Sequence, residues 1–343
     1  MLFKKDFTSM SREEILQLAE PTAEYQEMMD VWPPVRIDWQ DTKSTLAKVR
    51  MQTELADEWD EPDREVEETS RQIPARDGYQ LTLRIFESKR HTDPNGPIVV
   101  LWHGGGWVIG SPTMAASIAR SLCKRLGAIV IAPNYRLAPE HVWPTSLNDA
   151  WDSFNWIREN EYDELNRHFI IGGISAGAHM ALVIAHMAKD ENLEPKITGV
   201  FSACGSIQPL NEEDLDPVYR ERYLSRTQPE CADNPVLSKE MKKFMTDCAK
   251  ADPTSKLCMP LLWPGNEKHE GLPKVYQQVC GRDYSRDEAL IFDDMLKKSG
   301  GKSRVNLYPG LPHCFWLALG GIPEYRQWEQ DTISGFQWLL SND

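Results

Sequence analysis

Over its first 65 residues the chain is polar and acidic, and its apolar positions fall at helical spacing. Ser11 and Glu14 make a capping box ahead of Ile15, Leu16, Leu18 and Ala19, and Pro21 stops the helix they open. A second helix is expected over Thr42 to Glu58, and the acidic stretch from Asp57 to Thr69 reads as a linker into the main body. From residue 70 the period changes. Leu81 to Phe86 alternates apolar and polar as a half-buried strand does, whereas Ile98 to Trp102 and Ala128 to Ala132 are continuous apolar runs. Such runs mark strands covered on both faces of a parallel sheet. Phe169 to Ile171, Ile197 to Phe201, Val275 to Val279 and Arg304 to Tyr308 continue the series, with helical patterns such as Ala115 to Leu126 and Ala178 to Lys189 between them. Strand and helix in alternation imply βαβ units with right-handed crossovers, so the fold class is α/β.

One stretch breaks the alternation. Residues 206–252 are polar, carry Pro209, Pro217, Pro229 and Pro235, and contain no strand pattern. Met241, Phe244, Met245 and Cys248 recur at i, i+3, i+4 and i+7, which places one amphipathic helix inside it. An insertion of this length is expected to cover a ligand site at the carboxyl edge of the sheet. The expected organisation is an N-terminal helical cap segment (1–66), a catalytic domain (67–205 and 253–343) and a cap insertion (206–252).

Composition narrows the classes of function. Of 343 residues, 41% are hydrophobic and 26% charged, the balance of a globular protein with a core. The net charge of −14 excludes a basic face able to displace counterions from nucleic acid, and it disfavours an anionic membrane. Seven cysteines without a C-x-x-C pair argue against a disulfide framework and against a structural zinc site, and no histidine pair has catalytic-metal spacing. The polar start, the absence of a ~20-residue apolar run and the absence of any N-x-S/T sequon lead us to expect a cytoplasmic protein without membrane insertion. Twelve tryptophans are a high count, shared between core and binding surfaces.

Chemistry concentrates in three places. Gly173-Ile174-Ser175-Ala176-Gly177 follows a buried strand and opens a helix, the setting of a nucleophile elbow. Glycines beside the serine relieve collisions in so tight a turn, and the helix N-terminus favours developing negative charge. His103-Gly104-Gly105-Gly106-Trp107 follows another buried strand and offers free backbone N–H groups for an oxyanion. Gly104 and Gly105 are the expected donors, completed by Ala176 after the nucleophile. A dinucleotide fingerprint is excluded because Ile109 stands where its third glycine belongs. His103 is expected to anchor this loop. In the chain order serine, acid, histidine, the base is His313, on a loop after the last strand pattern. Among Asp283, Asp287, Glu288 and Asp293, we assign a capping box to Ser285 and Glu288. Asp287 is then a first-turn helix acid and Asp293 lies on the same helix, which leaves Asp283 to orient His313. His179, one turn below Ser175, is expected to pack within its helix, and His141 to border the pocket.

These residues resemble the hormone-sensitive-lipase-like group of α/β-hydrolases, the bacterial family IV esterases and their fungal members. The resemblance rests on His103 to Trp107 for H-G-G-G-W, Asn134 to Glu140 for D-Y-R-L-A-P-E, Gly173 to Gly177 for G-x-S-A-G, Gly281 to Glu288 for G-x-D-x-x-R-D-E, and His313. It covers about residues 75–343 in order. It implies an α/β-hydrolase fold with a mostly parallel sheet and a helical cap, and a cofactor-free carboxylic-ester hydrolase acting through Ser175, Asp283 and His313. Ile174, Ala178-His179 and Asn134 depart from the group's usual residues. S-A-G-A-H is also similar to the formamidase branch, so an arylformamidase or amide deacylase is the first alternative, with acyl transfer to an alcohol a variant. A non-catalytic receptor of the same fold is a distant alternative, because His313 is present. Trp107, Trp143 and Trp316 beside the motifs, with Met241, Phe244 and Met245 of the insertion, are expected to line a pocket for a bulky or aromatic, uncharged ester. A secondary metabolite fits that description. A homodimer is left open.

Overall fold

The buried strands settle into one sheet because each apolar run can pair on both edges and be covered on both faces. The computed structural model describes residues 2–31, 42–90, 96–162, 168–205, 213, 215–263 and 269–342. In chain order these form β1 (Leu2–Phe3), α1 (Arg12–Gln17), α2 (Ala23–Val31), α3 (Thr42–Glu58), β2 (Val66–Pro74), β3 (Gln80–Ser88), β4 (Ile98–Trp102), α4 (Ala116–Leu126), β5 (Ile129–Pro133) and α5 (Thr145–Asn160). There follow β6 (Phe169–Ile174), α6 (Ala176–Asp190), β7 (Gly199–Ala203), α7 (Pro217–Arg220), α8 (Pro229–Ala232), α9 (Lys239–Ala249), β8 (Lys274–Arg282), α10 (Arg286–Lys298), β9 (Ser303–Pro312) and α11 (Pro323–Leu340). Strand order is β1-β9-β8-β7-β6-β4-β5-β3-β2. The interior from β5 to β9 is parallel, and β1, β2 and β3 pair antiparallel at the two ends.

Side chains alternate across the sheet into two apolar layers. Ile98, Val100 and Trp102 of β4 pack with Phe154 of α5, Met180 of α6 and Leu290 of α10, while Val99 and Leu101 face Ile118 of α4 and Phe336 of α11. No helix among the described residues is long and apolar enough to cross a membrane.

Two expectations from the sequence change here. The stretch from Asp57 to Thr69 is not a free linker: its last residues enter β2, and its acids are held by basic side chains from elsewhere. Asp60 and Glu68 both pair with Arg84 and Arg120, and Asp63 pairs with Lys124. The partners lie 16 to 61 residues away in the chain, beyond the reach of a local reading. The capping box at Ser285 does not form. The Ser285 side chain makes no cap bond, and Glu288 is fully buried, accepting from the Tyr223 hydroxyl at 2.9 Å and Arg226 at 2.6 Å.

Asp287 likewise does more than favour a helix dipole. Buried completely, it accepts from the backbone N–H groups of Leu224 and Ser225, each at 2.7 Å, and from Arg286 at 2.6 Å. Arg286, also fully buried, donates to the Gly281 carbonyl. These contacts fasten the insertion to the start of α10. Part of the insertion, residues 206–212 and 214, lies outside the described residues; the rest carries the short α7 and α8 and then α9, the helix expected over Met241 to Cys248. The N-terminal segment is tied down too, with the capping box at Ser11 formed, Gly310 donating to the Leu18 carbonyl and Arg282 to the Ala19 carbonyl.

Asp287→Ala strands a buried guanidinium and two N–H groups, so a loss of about 3–5 kcal/mol is expected in denaturant unfolding. A second expectation concerns acid. Burial alone raises the Asp60 and Glu68 carboxyls, but the Arg120 and Arg84 guanidinium groups outweigh it and hold both below their ordinary values. Their stabilisation is therefore present above the unfolded carboxyl range and lost as pH falls below about 4. Thermal midpoints should show Glu68→Gln less stable than wild type at pH 7, with the gap closing in acid.

Candidate active site

Sequence around residue 175 forces a strained turn. Ser175 sits at φ 53° and ψ −112°, between the last residue of β6 and the first of α6. A Cβ at Gly173 would lie 2.4 Å from the Gly177 carbonyl carbon, and one at Gly177 would lie 2.0 Å from the Trp102 carbonyl oxygen. Both flanking positions must therefore be glycine for β4, β6 and α6 to approach so closely. The Ser175 N–H is fixed by the Ala203 carbonyl of β7 at 2.8 Å, which leaves the hydroxyl at the carboxyl edge of the sheet.

Three side chains meet there from three loops. His313 Nε2 lies 2.9 Å from Ser175 Oγ, and His313 Nδ1 lies 2.7 Å from Asp283 Oδ2. The other Asp283 oxygen accepts the Ser285 backbone N–H at 2.9 Å, which aims the carboxylate. Burial pushes the His313 imidazolium toward deprotonation, but the Asp283 charge and hydrogen bond outweigh it and raise the histidine above its ordinary value. An imidazole so placed can take a proton from the serine hydroxyl and stabilise the charge it acquires.

The glycine loop stands against this serine. A Cβ on Gly104 would be 3.3 Å from Ser175 Cβ, and Gly105 adopts φ 104°, where a Cβ would meet the Ile109 carbonyl oxygen at 2.0 Å. Among the described residues the backbone N–H groups of Gly104, Gly105 and Ala176 have no protein acceptor. His103 anchors the loop as expected: its Nδ1 bonds the Gly104 carbonyl at 2.8 Å, its ring stacks on Tyr135 at 4.0 Å, and burial lowers its pKa to about 4. The Tyr135 hydroxyl donates to the His103 carbonyl at 3.0 Å.

A cavity of about 250 Å³ opens on Ser175 and His313. Its wall is almost wholly apolar: Tyr25, Met28 and Met29 of α2, Ile109 and Met114 of the glycine-loop region, Met241 and Met245 of α9, and Phe315, Leu317 and Leu319 after His313. Met241 and Met245 are there as the sequence predicts. Trp107, Trp143, Trp316 and Phe244 are not. Trp107 is buried at 3% exposure and packs with Trp143 at 5.1 Å and His179 at 5.3 Å, while Trp316 stacks on Trp328 at 5.0 Å. Phe244 is buried in the core. Adjacency to a motif places a residue near a loop, but large apolar rings are drawn under that loop rather than into the opening.

His179 packs as expected, fully buried, its Nε2 3.2 Å from the Cys258 carbonyl oxygen and its pKa pushed down to about 3 by burial. His141 lines a separate polar cleft with Arg50 and Glu140. Sequence reasoning missed α2 altogether, although Tyr25, Met28 and Met29 stand at i, i+3 and i+4 and could have been read as a helical stripe.

Gly105→Ala cannot keep its φ without colliding with Ile109, and a displaced donor typically costs on the order of 10²–10³ in kcat. Steady-state kinetics should show that loss, and the thermal midpoint should fall with it, because alanine at φ 104° is strained against the Ile109 backbone.

Comparison with known proteins identifies the fold and the family. Residues 99–317 match the family described as alpha/beta hydrolase fold. An AB hydrolase superfamily protein of Schizosaccharomyces pombe is 32% identical over 274 residues, covering 79% of each chain. A versiconal hemiacetal acetate esterase of Dothistroma septosporum is 28% identical over 269 residues, 76% of this chain and 78% of that one. Among solved structures, vibralactone cyclase superposes with a TM-score of 0.80 at 24% identity, covering 99% of this chain and 97% of that one, a likeness of fold. The chain belongs to the α/β-hydrolase fold family, in its hormone-sensitive-lipase-like, carboxylesterase-type branch.

Proposed function

We propose that this protein cleaves the carboxylic ester of a bulky, uncharged small molecule through an acyl-enzyme on Ser175. The observation that carries the reading is His313 hydrogen-bonded between Ser175 and Asp283 at the mouth of an apolar cavity. His313 takes the serine proton as Oγ attacks the acyl carbonyl, and Asp283 holds the imidazolium. The N–H groups of Gly104, Gly105 and Ala176 receive the tetrahedral oxyanion. His313 then protonates the leaving alcohol, and water, activated by the same imidazole, releases the acid. The reading calls on no cofactor.

Apolar walls of Met28, Met29, Met114, Met241 and Met245 support an uncharged substrate, because a charge moved there would lose its hydration without a partner. With the tryptophans out of the wall, shape rather than aromatic stacking supports the bulky group. The Dothistroma relative is named for an acetate ester, versiconal hemiacetal acetate, which supports an ester substrate here; a secondary metabolite is the substrate class we propose. The N-terminal helices and residues 206–252 serve as the cap in this reading, since α2 and α9 both furnish cavity wall.

Ser175→Ala should lower hydrolysis of a short-chain aryl acetate by at least about 10³-fold, with fluorophosphonate labelling of Ser175 lost in parallel. Undiminished turnover would overturn the assignment. A matched ester and amide pair should favour the ester; preference for the amide would make the protein a deacylase using the same residues. Across a substrate panel, apolar esters should outrun charged ones.

A further inference from the structure

Two thiols, Cys204 and Cys314, stand beside His313 and a third, Cys280, beside Cys204, and the reaction described above uses none of them. Cys204 follows β7, Cys280 lies in β8, and Cys314 follows His313 itself. Cys204 Sγ is 3.4 Å from Cys280 Sγ and 3.5 Å from the Cys314 backbone nitrogen, which donates to it. The sulfurs of Cys204 and Cys314 and a ring nitrogen of His313 all lie within 4.8 Å of one another. All three residues are buried, yet Cys314 and His313 form part of the cavity wall, so the cluster has an entrance. Cys204 and Cys314 moreover occupy left-handed backbone conformations, at φ 48° and 49°, which a cysteine seldom adopts. Two strained residues thus hold their thiols against one imidazole.

We propose that Cys204, Cys314 and His313 form a binding site for a thiophilic divalent cation of the zinc class, and that its occupation switches the hydrolase off. Two sulfurs and an imidazole suit a soft or borderline ion and not magnesium or calcium, which take oxygen ligands. A tetrahedral ion with sulfur at about 2.3 Å and nitrogen at about 2.0 Å sets its ligand atoms roughly 3.5–3.8 Å apart, so these donors need close by only about 1 Å. The ion displaces one proton from each thiol, and both protons leave to solvent through the cavity. The neutral imidazole contributes a lone pair, and the fourth position faces the cavity. Bound through Nε2, the ion removes the acceptor of the Ser175 hydroxyl; bound through Nδ1, it displaces Asp283. Either way Ser175 loses its base. The inhibition rests on the reading of Ser175 and His313 given above, whereas binding of the ion does not.

The test titrates the full-length chain, stripped with a chelator and kept in a non-thiol reductant, with Cd²⁺ alone. Thiolate-to-metal charge transfer in the ultraviolet and ester hydrolysis are followed together. One equivalent per chain should produce the band and abolish most hydrolysis, and chelator should reverse both. Cys204→Ala and Cys314→Ala should each lose the band and weaken inhibition, relative to their own metal-free rates, on the order of tenfold or more. Ser175→Ala should keep the band, so a failed esterase assignment is told apart from a failed metal site. X-ray absorption of the wild-type complex gives a readout independent of variant folding, with a shell of sulfur and one imidazole nitrogen expected. Absence of the band, its persistence in either cysteine variant, or a shell without nitrogen would overturn the proposal.

Discussion

The site depends on one close approach, that of the turn at Ser175 to the end of β4. Gly177 presses on the Trp102 carbonyl and Gly173 on Gly177, at separations that no Cβ would permit. Those contacts hold Ser175 in a left-handed conformation that the serine would not choose unaided. They also bring Gly104 against the serine side chain, because Gly104 lies only two residues beyond Trp102. Ser175 and the glycine loop are thus placed by the same packing. The parallel pairing of β4 with β6, from Ile98–Phe169 to Trp102–Gly173, supplies the rigid base that sustains the strain.

A second constraint joins the stretch after Asp283 to the insertion. Asp283, Arg286, Asp287 and Glu288 occupy one short stretch, but only Asp283 turns toward His313. Asp287 and Glu288 turn away and hold Leu224, Ser225, Tyr223 and Arg226. Buried carboxylates persist when donors and cations reach them, and here the carboxylates stand on α10 while most of the donors come from the insertion. The same insertion continues into α9, whose Met241 and Met245 stand in the cavity wall. Methionine in that wall brings apolar surface that can repack around ligands of different shape.

The cysteine cluster belongs to the same geography. Cys204, Cys280 and Cys314 lie at or near the carboxyl ends of neighbouring strands, where an α/β sheet delivers its loops to one edge. Their sequence separations of 76 and 34 residues resemble no metal-binding spacing, which is why counting C-x-x-C pairs passed over them. His313 stands between the thiols and Ser175.

The sequence by itself determined the alternation of elements and the position of the buried strands, and it singled out Ser175, Asp283 and His313, which the structure brings together. Those features are written locally: an apolar run reports burial on both faces, and glycines on either side of a serine report a turn that admits nothing larger. Local text misled where the partner was remote. Ser285 and Glu288 have the spacing of a capping box, yet Glu288 finds better company in Arg226 and Tyr223, 62 and 65 residues away. The acids around Asp60 read as a solvated linker until Arg84 and Arg120 arrive from β3 and α4. Trp107, Trp143 and Trp316 stand beside the right motifs, but whether a ring faces a cavity or a core depends on what packs against it. Only the tertiary structure decided the wall of the cavity, because α2, the glycine loop, α9 and the loop after His313 meet there from four parts of the chain, and no short-range pattern encodes which of their faces is left open.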